Sequence, residues 1–266
     1  MPYYRGMLHV HSTLSDGAYS PSDLRERARN AGLSFVILCE HTWRLGVNKR
    51  LQALRICQEL SDDGFLCMLG LECGHQGRHV LLLGPPDLIC RVEAPEVVLE
   101  PAAMRAAGGM TIWAHPAATA YPSLRPGILA DYDGWEIWNH YVDGPVPSLP
   151  ILAMLSAQRA RGRSVVGLAS ADFHDERRHR ILPTLGLDVP ALGARLVLNR
   201  LREGQFDVLS SDGSRLMNGC AEGPYTPTPG ARAYALSRYG LLRLRSCAVW
   251  LWRALRRRVH AHPNCA

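Results

Sequence analysis

The stretch Leu8-His9-Val10-His11-Ser12-Thr13-Leu14-Ser15-Asp16-Gly17 joins an apolar, strand-like run to a turn of small polar residues. Side chains two apart on a β-strand share a face, so a strand over 7–11 projects His9 and His11 toward one point. Asp16 follows within reach of the strand end. Two imidazoles and a carboxylate converging at a strand terminus are the nucleus of a metal site. Alone, the same pair also fits a satisfied core pair on a polar strand face. Matching residues at other strand ends would separate the two readings.

Outward from this stretch, Ser20-Pro21-Ser22-Asp23 predicts a helix start, with Ser20 as N-cap and Pro21 at the first helical position. Residues 34–39 form a short continuous apolar run, as expected of a strand buried on both faces, and end in Glu40-His41. A helix over about 49–60 leads to a third strand, 65–71, ending at Glu72. Residues 79–84, opening with His79, predict a fourth strand, 94–107 a helix, and 110–114 a strand running into His115-Pro116. Another strand spans 133–138, followed by a helix over 149–160 and a strand, 164–168, that leads to Asp172 and His174. Residues 194–198 read as a further strand, with a helix near 199–203 and a last strand at 206–209.

Strand and helix thus alternate, which predicts an α/β fold with a parallel sheet and right-handed crossovers. The ligand-type residues His9, His11, Asp16, His41, Glu72, His79, His115, Asp172 and His174 nearly all punctuate apolar runs. A closed barrel gathers such strand ends around one axis, whereas an open sheet lines them along a crevice. The barrel is therefore the expected architecture. No glycine-rich phosphate loop of the G-x-G-x-x-G or G-x-x-x-x-G-K-[ST] kind is present.

The motifs His9-Val-His11…Ser15-Asp16-Gly17, Glu40-His41, Gly70-Leu-Glu72, His79-Val-Leu-Leu-Leu-Gly84, Ala114-His115-Pro116, Trp135-Glu136-Ile-Trp-Asn139 and Ser170-Ala-Asp172-Phe-His174 resemble the PHP (polymerase and histidinol phosphatase) superfamily. The likeness runs over about residues 5–210 and is nearest to the stand-alone histidinol-phosphatase-like branch. Glu40 stands where an aspartate usually precedes the histidine, and Ala171 alters the usual Ser-Asp wording. Neither change removes an expected ligand. The resemblance implies a distorted (β/α)7 barrel with two or three divalent ions, zinc, manganese or iron. It implies His9, His11, Glu72 and Asp172 on one metal, Glu72, His79 and His115 on a second, and Asp16, His41 and His174 on a third. Glu72 would be the bridge, and a hydroxide shared between metals the nucleophile. His174 or a water would protonate the leaving group. The implied catalytic residues are accordingly Glu72, Asp172 and His174, and the implied activity is hydrolysis of a small, soluble phosphate ester. Arg44, Arg177 and Arg178, beside ligand motifs, are candidate phosphate partners. Glu136 and Asn139 either support the pocket or simply end a strand. His75, His140 and His179 read as surface histidines.

Composition narrows the alternatives. Among 266 residues, 47% are hydrophobic and 20% charged, as expected of a globular protein. The eight cysteines are scattered without a C-x-x-C pair, which argues against a zinc ribbon or disulfide framework. With no leader pattern and no apolar run near the roughly 18–20 residues of a spanning helix, a cytoplasmic location is expected. The net charge of +6 is uneven: eight of the 30 basic residues, and no acid, lie from Gly230 onward, leaving 22 basic against 24 acidic elsewhere. The body is therefore not a basic surface of the kind nucleic acid selects. Expected organisation is a catalytic domain over 1–222, a Pro/Gly-rich linker over 223–230, and a basic, Trp-containing extension over 231–266. Within the extension, 241–259 fits either an interfacial helix in peripheral contact with anionic membrane or a helix packed on the domain. Three other readings remain open: an amidohydrolase-like C–N hydrolase, a PHP-type nuclease, and a non-catalytic binding barrel. Against the first, many amidohydrolases bridge their metals with a carboxylated lysine. The one lysine here, Lys49, falls in a predicted helix.

Overall fold

In the computed structural model, residues 1–75, 78–92, 100–119, 132–176, 182–210 and 212–260 are described. The fully buried run expected at the second strand is β2 (Phe35–His41), with all seven residues inside. It pairs in parallel with β1 (Tyr3–Val10) and β3 (Leu66–His75). The sheet continues through β4 (Arg78–Leu83), β5 (Met110–Ala114), β6 (Gly134–Asn139) and β7 (Val166–Ser170).

The chain beyond β7 returns to β1 and closes the ring. Ala171 N donates to Leu8 O (3.0 Å), Phe173 N to His9 O (3.0 Å), and His11 N to Phe173 O (2.9 Å). Strand β1 is shared along its length. Its second half meets residues 171–173, while Tyr3–Gly6 pair antiparallel with β8 (Thr184–Asp188). Strands β9 (Asp207–Leu209) and β10 (Arg215–Asn218) extend that antiparallel flap. The result is a nearly closed seven-stranded barrel with an appended three-stranded edge.

Two expectations are corrected. The sheet is not wholly parallel, because β4 runs antiparallel to both β3 and β5. Only residues 76 and 77 separate β3 from β4, which is too short for a parallel crossover. The second correction concerns 194–198, which belong to helix α8 (Ala194–Glu203) rather than to a strand. Val197, Leu198 and Leu201 form its buried face, and Gly204 caps it at φ +69°. The strand of this region is the unanticipated β8.

Helix α1 (Pro21–Asn30) begins as predicted. Ser20 Oγ accepts from Asp23 N (3.1 Å), and the Asp23 carboxylate accepts from Ser20 N (3.0 Å). Helices α2 (Val47–Glu59), α3 (Pro86–Arg91) and α4 (Pro101–Ala106) follow. Residues 93–99, which include the start of the predicted 94–107 helix, lie outside the described residues. Short helices α5 (Pro116–Thr119) and α6 (His140–Asp143) cap the ends of β5 and β6, and α7 (Leu149–Arg159) covers β6 and β7. The core includes fully buried Trp113, Trp135 and Trp138, the first two meeting edge to face at 5.6 Å.

The C-terminal extension is a helix, α9 (Pro229–His260), packed against α5, α6 and α7 at the mouth of the barrel. Ala235 is buried there, and Arg238 Nε donates to Val142 O (2.9 Å). No helix among the described residues is long and apolar enough to cross a membrane.

Candidate metal centre

The first site residue is delivered by a break in β1. The β1–β2 register passes from Leu8↔Ile37 to Val10↔Leu38, so His9 is an extra, bulged residue, and its φ is +64°. His9 and His11 therefore do not converge by plain strand alternation. A bulge re-aims His9, and the two rings stand 5.0 Å apart. His115 (φ +32°) and Asp172 (φ +47°), each just beyond a strand end, are also left-handed. Non-glycine residues in this region are held there at a cost by their surroundings, and here three of them carry site side chains.

Glu72 is the hub. Its carboxylate is 1% exposed, and its two oxygens face different partners. Oε2 lies 3.2 Å from His9 Nε2, 3.3 Å from His11 Nε2 and 3.0 Å from His41 Nδ1. Oε1 lies 2.6 Å from His79 Nδ1 and 3.1 Å from His115 Nε2. Asp172 Oδ1 is 3.5 Å from both His9 Nε2 and His11 Nε2. Asp16 reaches His41 Nε2 (3.3 Å) and His174 Nε2 (3.6 Å). Gly17 makes this fold-back feasible, because a Cβ there would stand 2.1 Å from His11 O.

All nine predicted donors are thus brought together, in three groups whose ligand atoms lie within 4.8 Å of one another: His9, His11 and Asp172; Glu72, His79 and His115; His11, Asp16, His41 and His174. The grouping differs from the implied one in leaving Glu72 out of the first group and in placing His11 with Asp16 in the third. Arg44 is exposed and does not line the site cavity. Arg177, Arg178 and His179 lie outside the described residues. His140, expected at the surface, is 9% exposed on α6. Lys49 is exposed on α2 and does not line the site cavity.

The donor set fits divalent ions. His9 Nε2, His11 Nε2 and Glu72 Oε2 are buried, converge on one another, and have no hydrogen-bond partner. Two donors each about 2.1 Å from a shared ion stand roughly 3.0–3.4 Å apart, close to the spacings above. Outer residues fix the donors. Glu136 Oε1 lies 2.7 Å from His9 Nδ1, and its Oε2 accepts from His115 N (2.6 Å) and Asn139 Nδ2 (2.8 Å). Asn139 Nδ2 also reaches Asp172 Oδ2 (3.3 Å). Glu40 is not a donor. Buried, it accepts from Ser12 N (3.0 Å), Ser12 Oγ (2.5 Å) and Ser15 Oγ, and so pins the loop that carries Asp16. Trp43, missed in the sequence, stacks on His41 at 4.0 Å.

Electrostatics follow from this crowding. Burial opposes charge on His9, yet Asp172, Glu136 and Glu72 outweigh it and hold its pKa well above the ordinary imidazole value. His11 is likewise raised against burial, to about 9, by Asp172 and Glu72. Burial works against ionised Glu72, but His9 and the close imidazoles of His11, His115 and His41 keep its pKa well below normal. His174 is pushed down by burial and by the charge of His11. In the metal-free chain, protons on His9 and His11 balance the carboxylates. A raised folded-state pKa stabilises fully below the unfolded value of 6.5 and is lost as pH rises through about 9. Metal-free protein is therefore expected to melt at progressively lower temperature from pH 6.5 to 9. Metal-saturated protein should not, because the cations replace those protons. A melting temperature that rises over this window in chelated protein would contradict this account of the charge balance.

A cavity of about 460 Å³ opens over the donors, walled by His41, His79, His115 and His174 on one side. Tyr141 and Val142 of α6 and Arg238, Leu242 and Arg245 of α9 complete the wall. These α9 residues were not anticipated in the sequence. Their signal is a stripe of arginines and apolar residues at helical spacing.

No family model and no curated protein sequence matches the chain. Among solved structures, it is similar to a two-domain protein from Bacteroides vulgatus containing a predicted PHP-like metal-dependent phosphoesterase, with 16% identity and a TM-score of 0.50. That match covers 82% of this chain and 66% of the other, so the chain spans just under two thirds of that protein. It is also similar to a candidate metal-dependent phosphoesterase from Bifidobacterium adolescentis (17% identity, 64% of this chain, 87% of that chain, TM-score 0.42). A third similar structure is an amidohydrolase from Chromobacterium violaceum (15% identity, 64% and 87%, TM-score 0.39). The barrel described above thus shares its fold with the Bacteroides vulgatus protein that contains a predicted PHP-like phosphoesterase.

Proposed function

We propose that the chain is a metal-dependent phosphoesterase acting on a small phosphate ester. The observation that carries this reading is the placement of Glu72, whose two carboxylate oxygens face two different sets of imidazoles. His9, His11 and Asp172 would hold one ion, His79 and His115 a second, with Glu72 between them. His11, Asp16, His41 and His174 would hold a third. Such ions, when bound, make water a nucleophile at neutral pH and neutralise charge on phosphoryl oxygens. The chain's own work is positional. Glu136 holds His9 and the His115 backbone, Asn139 steadies Asp172, and Glu40 sets the Asp16 loop. His174 Nδ1 lies 3.0 Å from the Asp172 carbonyl, which can only accept, so the ring carries its proton there. Its Nε2 is then a lone-pair donor facing Asp16. We therefore assign His174 to the donor set and not to protonation of the leaving group.

The test is metal analysis of purified full-length protein together with a hydrolysis screen. The screen covers amino-alcohol phosphates, sugar phosphates, nucleotides, bisphosphates and representative amides. Expected are at least one bound ion per chain and metal-dependent phosphate release. Substoichiometric metal after careful purification, or amide hydrolysis without phosphate release, would overturn the proposal.

A further inference from the structure

Helix α9 carries Ala235, Arg238, Leu242 and Arg245 at steps of three, four and three, which places them on one stripe. The stripe faces the barrel. Ala235 is 6% exposed, Leu242 packs against the core, and Arg238, Leu242 and Arg245 wall the cavity over Glu72, Asp172 and His174. Arg238 is fixed at its root, since Nε donates to Val142 O at 2.9 Å, and its charge also acts on the buried Asp143 carboxyl of α6. Among the described residues, neither Arg238 nor Arg245 is ion-paired with a carboxylate within 4.0 Å. A helix that brings two guanidinium groups to a cavity otherwise lined by carboxylates and imidazoles gives that cavity contacts suited to an anionic ligand.

We propose that Arg238 and Arg245 are the phosphate-binding side chains of this site, so that α9 is the wall of the site that receives the substrate's anionic oxygens rather than an appended tail. This deepens the phosphoesterase reading and rests on it. The planar guanidinium suits phosphate oxygens bidentately, and two of them supply contacts complementary to the donor residues across the cavity. The segment that fitted either an interfacial helix or a helix packed on the domain begins at 241, and Leu242 and Arg245 within it line the cavity.

The test uses full-length, metal-loaded protein and inorganic phosphate as the probe. Phosphate affinity is measured by calorimetry, and KM and kcat on the best ester from the screen, for wild type, Arg238→Gln, Arg245→Gln and the double variant. Arg232→Gln serves as control, since Arg232 lies on the same helix and donates to Pro227 O. Each single variant is expected to weaken phosphate binding and raise KM about tenfold, with kcat less affected and metal content unchanged. Lysine at either position should restore part of the loss. Arg245 is exposed and, among the described residues, its side chain makes no hydrogen bond, so its variant keeps the test valid if Arg238→Gln perturbs packing. Wild-type phosphate affinity in the Arg245 and double variants would overturn the assignment, as would a metal-loaded wild type that binds no phosphate. Arginine-dependent phosphate binding without hydrolysis of any ester would instead overturn the phosphoesterase reading and leave the α9 assignment standing.

Discussion

Glu72→Ala is expected to lose more than about 10³-fold in activity and to leave the protein with less metal than wild type, because a metal centre contributes several kcal/mol to transition-state stabilisation. The reason lies in how many groups depend on one carboxylate. Five imidazoles, those of His9, His11, His41, His79 and His115, lie within 3.3 Å of its oxygens. Removing it takes the shared anion from between two donor groups and leaves the crowded imidazoles with fewer counter-charges, Asp172, Glu136 and Asp16 being those that remain. A second signature should appear in the metal-free protein. His11 owes its raised pKa partly to Glu72, so the loss of stability between pH 6.5 and 9 should shrink in the variant. Metal content is read by elemental analysis, activity by phosphate release, and the pH effect by thermal melts in chelator. A variant with wild-type metal stoichiometry and activity would remove Glu72 as the bridge.

Much of this site was legible because it obeys one rule: a polar ligand-type residue ends a buried apolar run. His41, Glu72 and His115 each follow that rule and each reach the cavity. What the sequence concealed depends on tertiary geometry. The bulge that aims His9 arises from the register between β1 and β2, which no local pattern in Leu8-His9-Val10 announces. The reversed β4 is as apolar as its neighbours, so only the short gap before it signals direction. Residues 194–198 look like a strand because five apolar-rich residues are too few to show a helical period. Extension to Leu201 and Gly204 reveals it. Arg238 and Arg245 read only as part of a basic extension, with no tie to the site, until α9 is seen packed on α5, α6 and α7. Glu40, the residue that departs from the resembled motif, proves to be a buried acceptor for Ser12 and Ser15, a role set by the loop and not by its neighbours in β2.

Glu136→Gln is expected to weaken metal binding by about 10- to 100-fold while leaving the fold intact, the range typical for residues that orient metal ligands. Glutamine has the same shape but only one accepting atom. In wild type, Oε2 accepts from His115 N at 2.6 Å and from Asn139 Nδ2 at 2.8 Å, while Oε1 faces His9 Nδ1 at 2.7 Å. The backbone N–H of His115 cannot change, so the glutamine oxygen must remain on that side and its amide NH₂ must face His9. A donor there requires Nδ1 of His9 to accept, which moves the imidazole proton to Nε2. Nε2 is the atom that points at Glu72 and Asp172, 3.2 and 3.5 Å away, where a lone pair is needed for an ion. The substitution therefore installs the wrong tautomer without removing a single donor residue. Activity should recover toward wild type as metal is raised, and the metal concentration for half-activation should shift by the same factor as the dissociation constant. Glu136→Ala should lose both the tautomer control and the hold on His115, and recover less. Unchanged metal affinity in Glu136→Gln would show that the His9 tautomer is set elsewhere. Loss of activity that excess metal cannot restore would point to a packing role for Glu136 instead.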